Sequence, residues 1–174
     1  MTNKKWYKKP EMIVAMSALV MTLVTTTVSV YSAYIDRSYA RASVWPRLQI
    51  YRSYGDTHFS YGVNNPGNGP SIIKYAKVTY QSKPISRWND IPEFPQHIQS
   101  HLGQLILAAQ DKLVPMTSLR NKPKDNEKFL EIDKSVEIEL CYCSIYNECW
   151  LVNRANNPKS IKSCVIDPKI AFKQ

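Results

Sequence analysis

The chain has 174 residues, 44% of them hydrophobic, and a formal net charge of +9. That is enough for one ordinary domain with its own core beyond any tail or span. The basic balance suits a solvated exterior or anionic headgroups, but no arginine-rich run and no basic helix with interleaved aromatics is present, which argues against nucleic acid.

Met12 to Ile35 carries no charged residue, with Glu11 before it and Asp36-Arg37 after it. As a helix it rises roughly 36 Å, enough for a hydrocarbon core of about 30 Å, so it reads as a transmembrane helix. Thr25, Thr26, Thr27, Ser29 and Ser32 soften its second half; such hydroxyls bond back to a carbonyl one turn earlier. Trp6 and Tyr7 on one side, and Tyr31 and Tyr34 on the other, suit the two interfaces. A cleaved signal peptide is the competing reading, with Thr27-Val28-Ser29 as its small-residue site, but the apolar run outlasts a signal's core. The predicted divisions are a basic tail over 1–11, a span over 12–35, a stalk over 36–44 and a β domain over 45–174. Trp45-Pro46 ends the helical stalk, since a residue before proline avoids the helical region.

The pattern then switches to period two. Arg47 to Arg52 alternates with Leu48 and Ile50 on one face, and His58 to Val63 aligns Phe59, Tyr61 and Val63. Gly55-Asp56 marks the turn between them. Asn64 to Pro70 (NNPGNGP) reads as a tight connection, with Gly67 free to take positive φ after Pro66. No Gly-Lys-Ser/Thr and no helix follows it, so it is not a phosphate cradle. Ser71 to Tyr80 is a long strand.

Asn65-x-Gly67-x-Gly69-Pro70 followed by Ile72-Ile73-Lys74 resembles a pattern in uncharacterised bacterial single-pass membrane proteins. That group has one N-terminal span, an Arg/Ser-rich segment ending near a proline (here Ser43 to Leu48), and this connection inside an immunoglobulin-like periplasmic β domain. The resemblance covers roughly Met12 to Trp88. It departs at Ser71, where alanine is usual, and at Gln81-Ser82-Lys83, where the group tends to have Asp-Gly. It implies a fold and no activity.

Gln81 to Pro84 is a turn. Phe94, Ile98, Leu102, Leu105, Ile106 and Ala109 then recur at helical spacing, predicting one inserted amphipathic helix capped by Asn89 or Asp90. His97 and His101 fall at i, i+4 on it, a spacing that presents two imidazoles to one metal. The intervening residues lack the glutamate of a zinc peptidase, and no third ligand is nearby, so no metal or cofactor is assigned. Leu113 to Leu119 is predicted as an edge strand because of Pro115. Arg120 to Lys128 is predicted as a charged loop.

Val136 to Tyr142 alternates Val136, Ile138, Leu140 and Tyr142 against Glu137, Glu139, Cys141 and Cys143, the pattern of a strand with one solvated face. A turn at Tyr146-Asn147-Glu148 returns through Cys149 to Val152. If Cys143 faces Cys149, Trp150 and Val152 fall on the apolar side, which pairs Cys143 with Cys149 and leaves Cys141 for Cys164. Four cysteines allow three connectivities. Cys141–Cys143 is least favoured, since i and i+2 of a strand lie ~6.5–7 Å apart. Mid-strand thiols lack the helix N-terminus that activates redox cysteines, and the spacing lacks zinc knuckles. Two disulfides argue for an oxidising compartment. The lysines Lys4, Lys5, Lys8 and Lys9 agree, placing the tail inside. Asn153 to Lys162 reads as a polar loop, Cys164 to Ile166 as a last strand, and Lys169 to Gln174 as a basic tail.

The expected fold is therefore mainly β: a transmembrane helix, then an immunoglobulin-like sandwich with one inserted amphipathic helix. The expected function is a non-enzymatic binding or scaffolding protein of the bacterial inner membrane. Its domain would face a protein partner in the periplasm. The alternative is a periplasmic metal or ligand sensor using His97 and His101.

Overall fold

The computed structural model describes residues 9–119 and 123–174. Lys4, Lys5, Trp6, Tyr7 and Lys8, and the first residues of the expected charged loop (120–122), lie outside the described residues. The chain divides into two compact units, Met1–Ala42 and Ser43–Gln174.

The first unit holds one long apolar helix, α1 (Pro10–Ser43), long and apolar enough to cross a membrane. Its 34 residues rise about 51 Å. Pro10 sits in the first turn, where its missing N–H costs nothing, and Glu11 and Arg41 complement the two ends of the helix dipole. Thr22, Thr26, Thr27 and Ser29 each donate to the carbonyl four residues back, at 2.7–2.9 Å. Their hydroxyls are thereby satisfied within the helix.

The second unit is a mostly antiparallel β domain. Its elements are β1 (Gln49–Tyr54), β2 (Phe59–Asn64), β3 (Ser71–Tyr80), β4 (Lys83–Ile85), β5 (His97–Gln99), β6 (Ile106–Leu107), β7 (Lys112–Ser118), α2 (Pro123–Asp133), β8 (Val136–Cys143), β9 (Cys149–Asn153) and β10 (Lys159–Ile161). One sheet runs β1-β2-β7-β5; the other runs β10-β9-β8-β3-β4, with β6 also on β3. Alternation in β8, and in β3 on either side of a bulge between Ile73 and Tyr75, turns Ile73, Ala76, Val78, Ile138, Leu140 and Tyr142 inward. They meet Ile50, Phe59, Tyr61, Val63 and Met116 of the smaller sheet in one core.

Several expectations need correction. No helix spans Phe94 to Ala109. A 3-10 turn at Trp88–Asp90 is followed by extended chain, with β5 paired to β7. Pro92 and Pro95 remove two donors and bias Ile91 and Phe94 away from the helical region, and Glu93 takes a φ of 53°. Neither Asn89 nor Asp90 is an N-cap: Arg87 holds that position of the single turn, and Asp90, its third residue, accepts from the backbone N–H groups of Ser86 and Arg87 at 2.9 Å.

The inserted helix is α2 instead; it begins within the expected charged loop of 120–128 and runs on to Asp133. Pro at its start suits the first turn, and Asn126, Phe129, Ile132 and Asp133 form its buried face. Strand β7 is not an edge; it lies between β2 and β5. Pro115 is tolerated there because Val114 and Pro115 together oppose Gly62 at a register shift between Tyr61 and Val63.

The C-terminal segment is not a free basic tail. Phe172 is buried against Trp88, its N–H donates to Ala76 O at 2.9 Å, and Lys173 N–H donates to Ser86 O at 2.9 Å. This segment covers the edge of β3 between β6 and β4. No strand forms at Cys164 to Ile166, whereas β10 lies inside the expected loop of 153–162.

Candidate functional site

Strand β3 alternates, so Ile72 faces away from the core that holds Ile73. The pairing register then builds a row across that outer face: Ile106 opposite Ile72, Ile72 opposite Cys143, Cys143 opposite Cys149, and Cys149 opposite Ile161. A second row joins Tyr75, Cys141 and Leu151. Directly opposed residues share a face, so the larger sheet carries an aliphatic and cysteine patch on its outside.

Two disulfides sit in this patch. Cys143 is bonded to Cys149 across the hairpin, and Cys141 to Cys164, with Cα separations of 4.0 and 5.7 Å. The outer face of β8 is solvated only at Glu137 and partly at Glu139. From Cys141 onward both faces are covered, because the Cys164 segment crosses there. All four thiols are consumed in disulfides, so none offers a thiolate to a metal. Beyond the cysteines the patch is open: Ile106 is 68% exposed and Val165, next to Cys164, is 81% exposed. Burial, then the nearby charge of Glu139, raises the Tyr75 phenol above the ordinary tyrosine pKa.

The Asn-Gly connection is a structural knot. Asn65 is fully buried. Its Nδ2 donates to the carbonyls of Gly69 at 2.8 Å and Ala108 at 3.0 Å, and its Oδ1 accepts from Arg47 N–H at 3.1 Å and Gly67 N–H at 3.2 Å. Among the described residues no glycine has positive φ, so Gly67 does not serve the turn as expected. Gly67 and Gly69 are needed for close approach. A Cβ on Gly67 would stand 2.5 Å from Trp45 O, and one on Gly69 would overlap the backbone of Val44. Asn65, Gly67, Gly69 and Pro70 thus lie directly on the segment that leads into β1.

The two histidines do not form a helical pair. His97 lies on β5, its Nδ1 3.0 Å from Pro95 O and its Nε2 3.2 Å from Gln99 Oε1, with its ring edge-on to Phe94. Four residues of extended chain span about 13 Å, so His101 is carried away from it. His101 instead borders a groove of about 360 Å³ with Lys74, Tyr75, Gln104, Ile166 and Phe172.

Sequence reasoning missed a buried ion cluster. Asp133, at the end of α2, is held by Arg52 of β1, by Arg154 at 2.8 Å, and by the Tyr61 hydroxyl of β2, which donates at 2.7 Å. Arg154 also donates to the carbonyls of Asp133 and Val136, at 3.0 and 2.6 Å. Burial, then Asp133, pushes the Tyr61 phenol far above its ordinary value. The cluster ties α2 to both sheets; Tyr61 was legible on the inward face of its strand, but nothing in the sequence paired it with Arg52, Asp133 and Arg154.

No protein-family model matches this chain, and no curated protein sequence matches it.

Proposed function

We propose that the protein is a membrane-anchored, non-enzymatic binding or scaffolding subunit. It presents a disulfide-stapled, immunoglobulin-like domain to a protein partner in the periplasm. The observation that carries this reading is exposed aliphatic surface at two points beside the disulfides: Ile106, in the row of Ile72 and Cys143, and Val165, next to Cys164.

The strand order supports the immunoglobulin-like part. The sheets β1-β2-β7-β5 and β9-β8-β3-β4 match the ABED and GFCC′ orders, with α2 inserted between the strands equivalent to E and F. The disulfides differ from that fold's usual inter-sheet bridge, since both begin on β8. The close fit of Val44 to Arg47 over Gly67 and Gly69 gives a physical reason for the resemblance to proteins that combine these two segments. The exposed side chains of α1, Met21 and Val30 among them, are suited to lipid. The disulfides support an oxidising compartment, and the lysines before the span support a cytoplasmic N-terminus in an inner membrane.

The test is a photocrosslinking side chain placed in the membrane-resident protein at Ile106, Val165 or Lys83. A reproducible protein adduct from Ile106 and Val165, absent from Lys83, is expected. No adduct, or the same adducts from all three positions, overturns the reading.

A further inference from the structure

The two disulfides are neighbours, not separate staples. The Sγ atoms of Cys143, Cys149 and Cys164 lie within 4.8 Å of one another, and Cys143 Sγ is 3.7 Å from Cys164 Sγ. Cys164 therefore touches a sulfur of each disulfide: Cys141, to which it is bonded, and Cys143, to which it is not. Cys141 and Cys143 point from the same face of β8, two residues apart, while Cys164 lies on a segment without regular secondary structure. Closing 3.7 Å to a bond of about 2.05 Å is within reach of side-chain rotation.

We propose that the four cysteines form one thiol–disulfide exchange site, in which Cys164 passes between Cys141 and Cys143. The co-reactant is a dithiol. Its thiolate attacks Cys149 Sγ, forming a mixed disulfide and releasing Cys143 as a thiolate. The Cys143 thiolate attacks Cys164 Sγ; the Cys143–Cys164 bond forms, the Cys141–Cys164 bond breaks, and Cys141 leaves as a thiolate that takes a proton. The second thiol of the dithiol then attacks its own mixed disulfide and closes the dithiol's disulfide. Cys149 is released and protonated. One disulfide of the protein has been reduced, the dithiol has been oxidised, and the remaining disulfide has moved.

The move is small: Cys164 Sγ, already 3.7 Å from Cys143 Sγ, closes to about 2.05 Å by side-chain rotation, so the exchange re-pairs the sulfurs without displacing the segment that carries Cys164. Cys141 is fully buried, so the displaced thiol is sheltered from solvent.

Two single substitutions in the full-length, membrane-resident chain test this without added reductant. Cys149→Ser frees Cys143, which can then displace Cys141 from Cys164. Cys141→Ser frees Cys164, which can then displace Cys149 from Cys143. After acid quenching, alkylation and peptide mapping by mass, both variants are expected to contain the Cys143–Cys164 pair at about one tenth or more of the original pair. Wild-type protein given less than one equivalent of dithiothreitol is expected to show the same pair, with Cys141 and Cys149 alkylated. The original pairs alone, with the freed cysteine fully alkylated, overturn the proposal. So does an even spread over all pairings, which is the signature of unfolding.

Discussion

Asn65 shows how much one side chain can organise. Its amide joins the approach to β1, the connection into β3 and the residues after β6, and no solvent reaches it. Asn65→Ala strands several buried backbone groups at once and is expected to cost about 3–5 kcal/mol in a urea unfolding series. Ser71 is the opposite case. It is fully buried and its hydroxyl has no protein hydrogen-bond partner. Ser71→Ala removes an unsatisfied donor without opening a large cavity, so it is expected to stabilise by about 1 kcal/mol in the same series. Tyr61 makes a prediction in pH. Burial and Asp133 raise its pKa, so the folded state favours the neutral phenol. Its stabilisation is complete below the ordinary tyrosine value of about 10 and is lost as pH rises above it, because the unfolded chain ionises first. The thermal midpoint should fall steeply above about pH 10. Tyr61→Phe should be less stable at neutral pH, yet lose less stability on going alkaline.

At the scale of elements, the informative signal was alternation. Val136 to Tyr142 alternates and is a strand with one face on the core, and Ser71 to Tyr80 is a long strand whose alternation changes phase at a bulge between Ile73 and Tyr75. The stretch from Phe94 to Ala109 carried a helical stripe, yet two prolines and pairing with β7 outweighed it. Helix α2 was hidden for the converse reason: its buried face is short and polar at Asn126 and Asp133, and its first half falls in the charged run of 120–128 that read as loop. The β3–β4 hairpin was legible as a turn but not in its chemistry. Gln81 and Ser82 both adopt positive φ, at 49° and 65°, the conformation a two-residue hairpin turn demands and glycine or asparagine supplies. The pair Gln81→Asn and Ser82→Gly is expected to raise stability by about 1 kcal/mol, measured by chemical denaturation. No gain would mean that the bond from Gln81 N–H to Ser135 O, rather than turn preference, sets this hairpin.

At the scale of the molecule, strand order was the least legible property. The pairs β2–β7 and β3–β8 join segments distant in sequence, and no local pattern encodes a partner. The Asp133 cluster was hidden for the same reason, since Arg52, Tyr61 and Arg154 meet only once the sheets have formed. The N-terminal run was legible because lipid imposes a demand that composition alone can meet: many uncharged residues in succession. Composition does not separate a retained span from a cleaved signal, but length and continuity bear on the choice. Helix α1 continues unbroken through Thr27-Val28-Ser29 to Ser43, and the hydroxyls of Thr27 and Ser29 are bonded to carbonyls four residues earlier. A peptidase needs extended chain at its cleavage site, so processing there would require that turn to unwind against its hydrogen bonds. The protein is therefore expected to stay with the membrane pellet after an alkaline carbonate wash, and its intact mass to include the residues before Thr27. A soluble product beginning just after Ser29 would make the helix a signal, free the β domain from the bilayer, and remove the basis for a membrane-tethered partner.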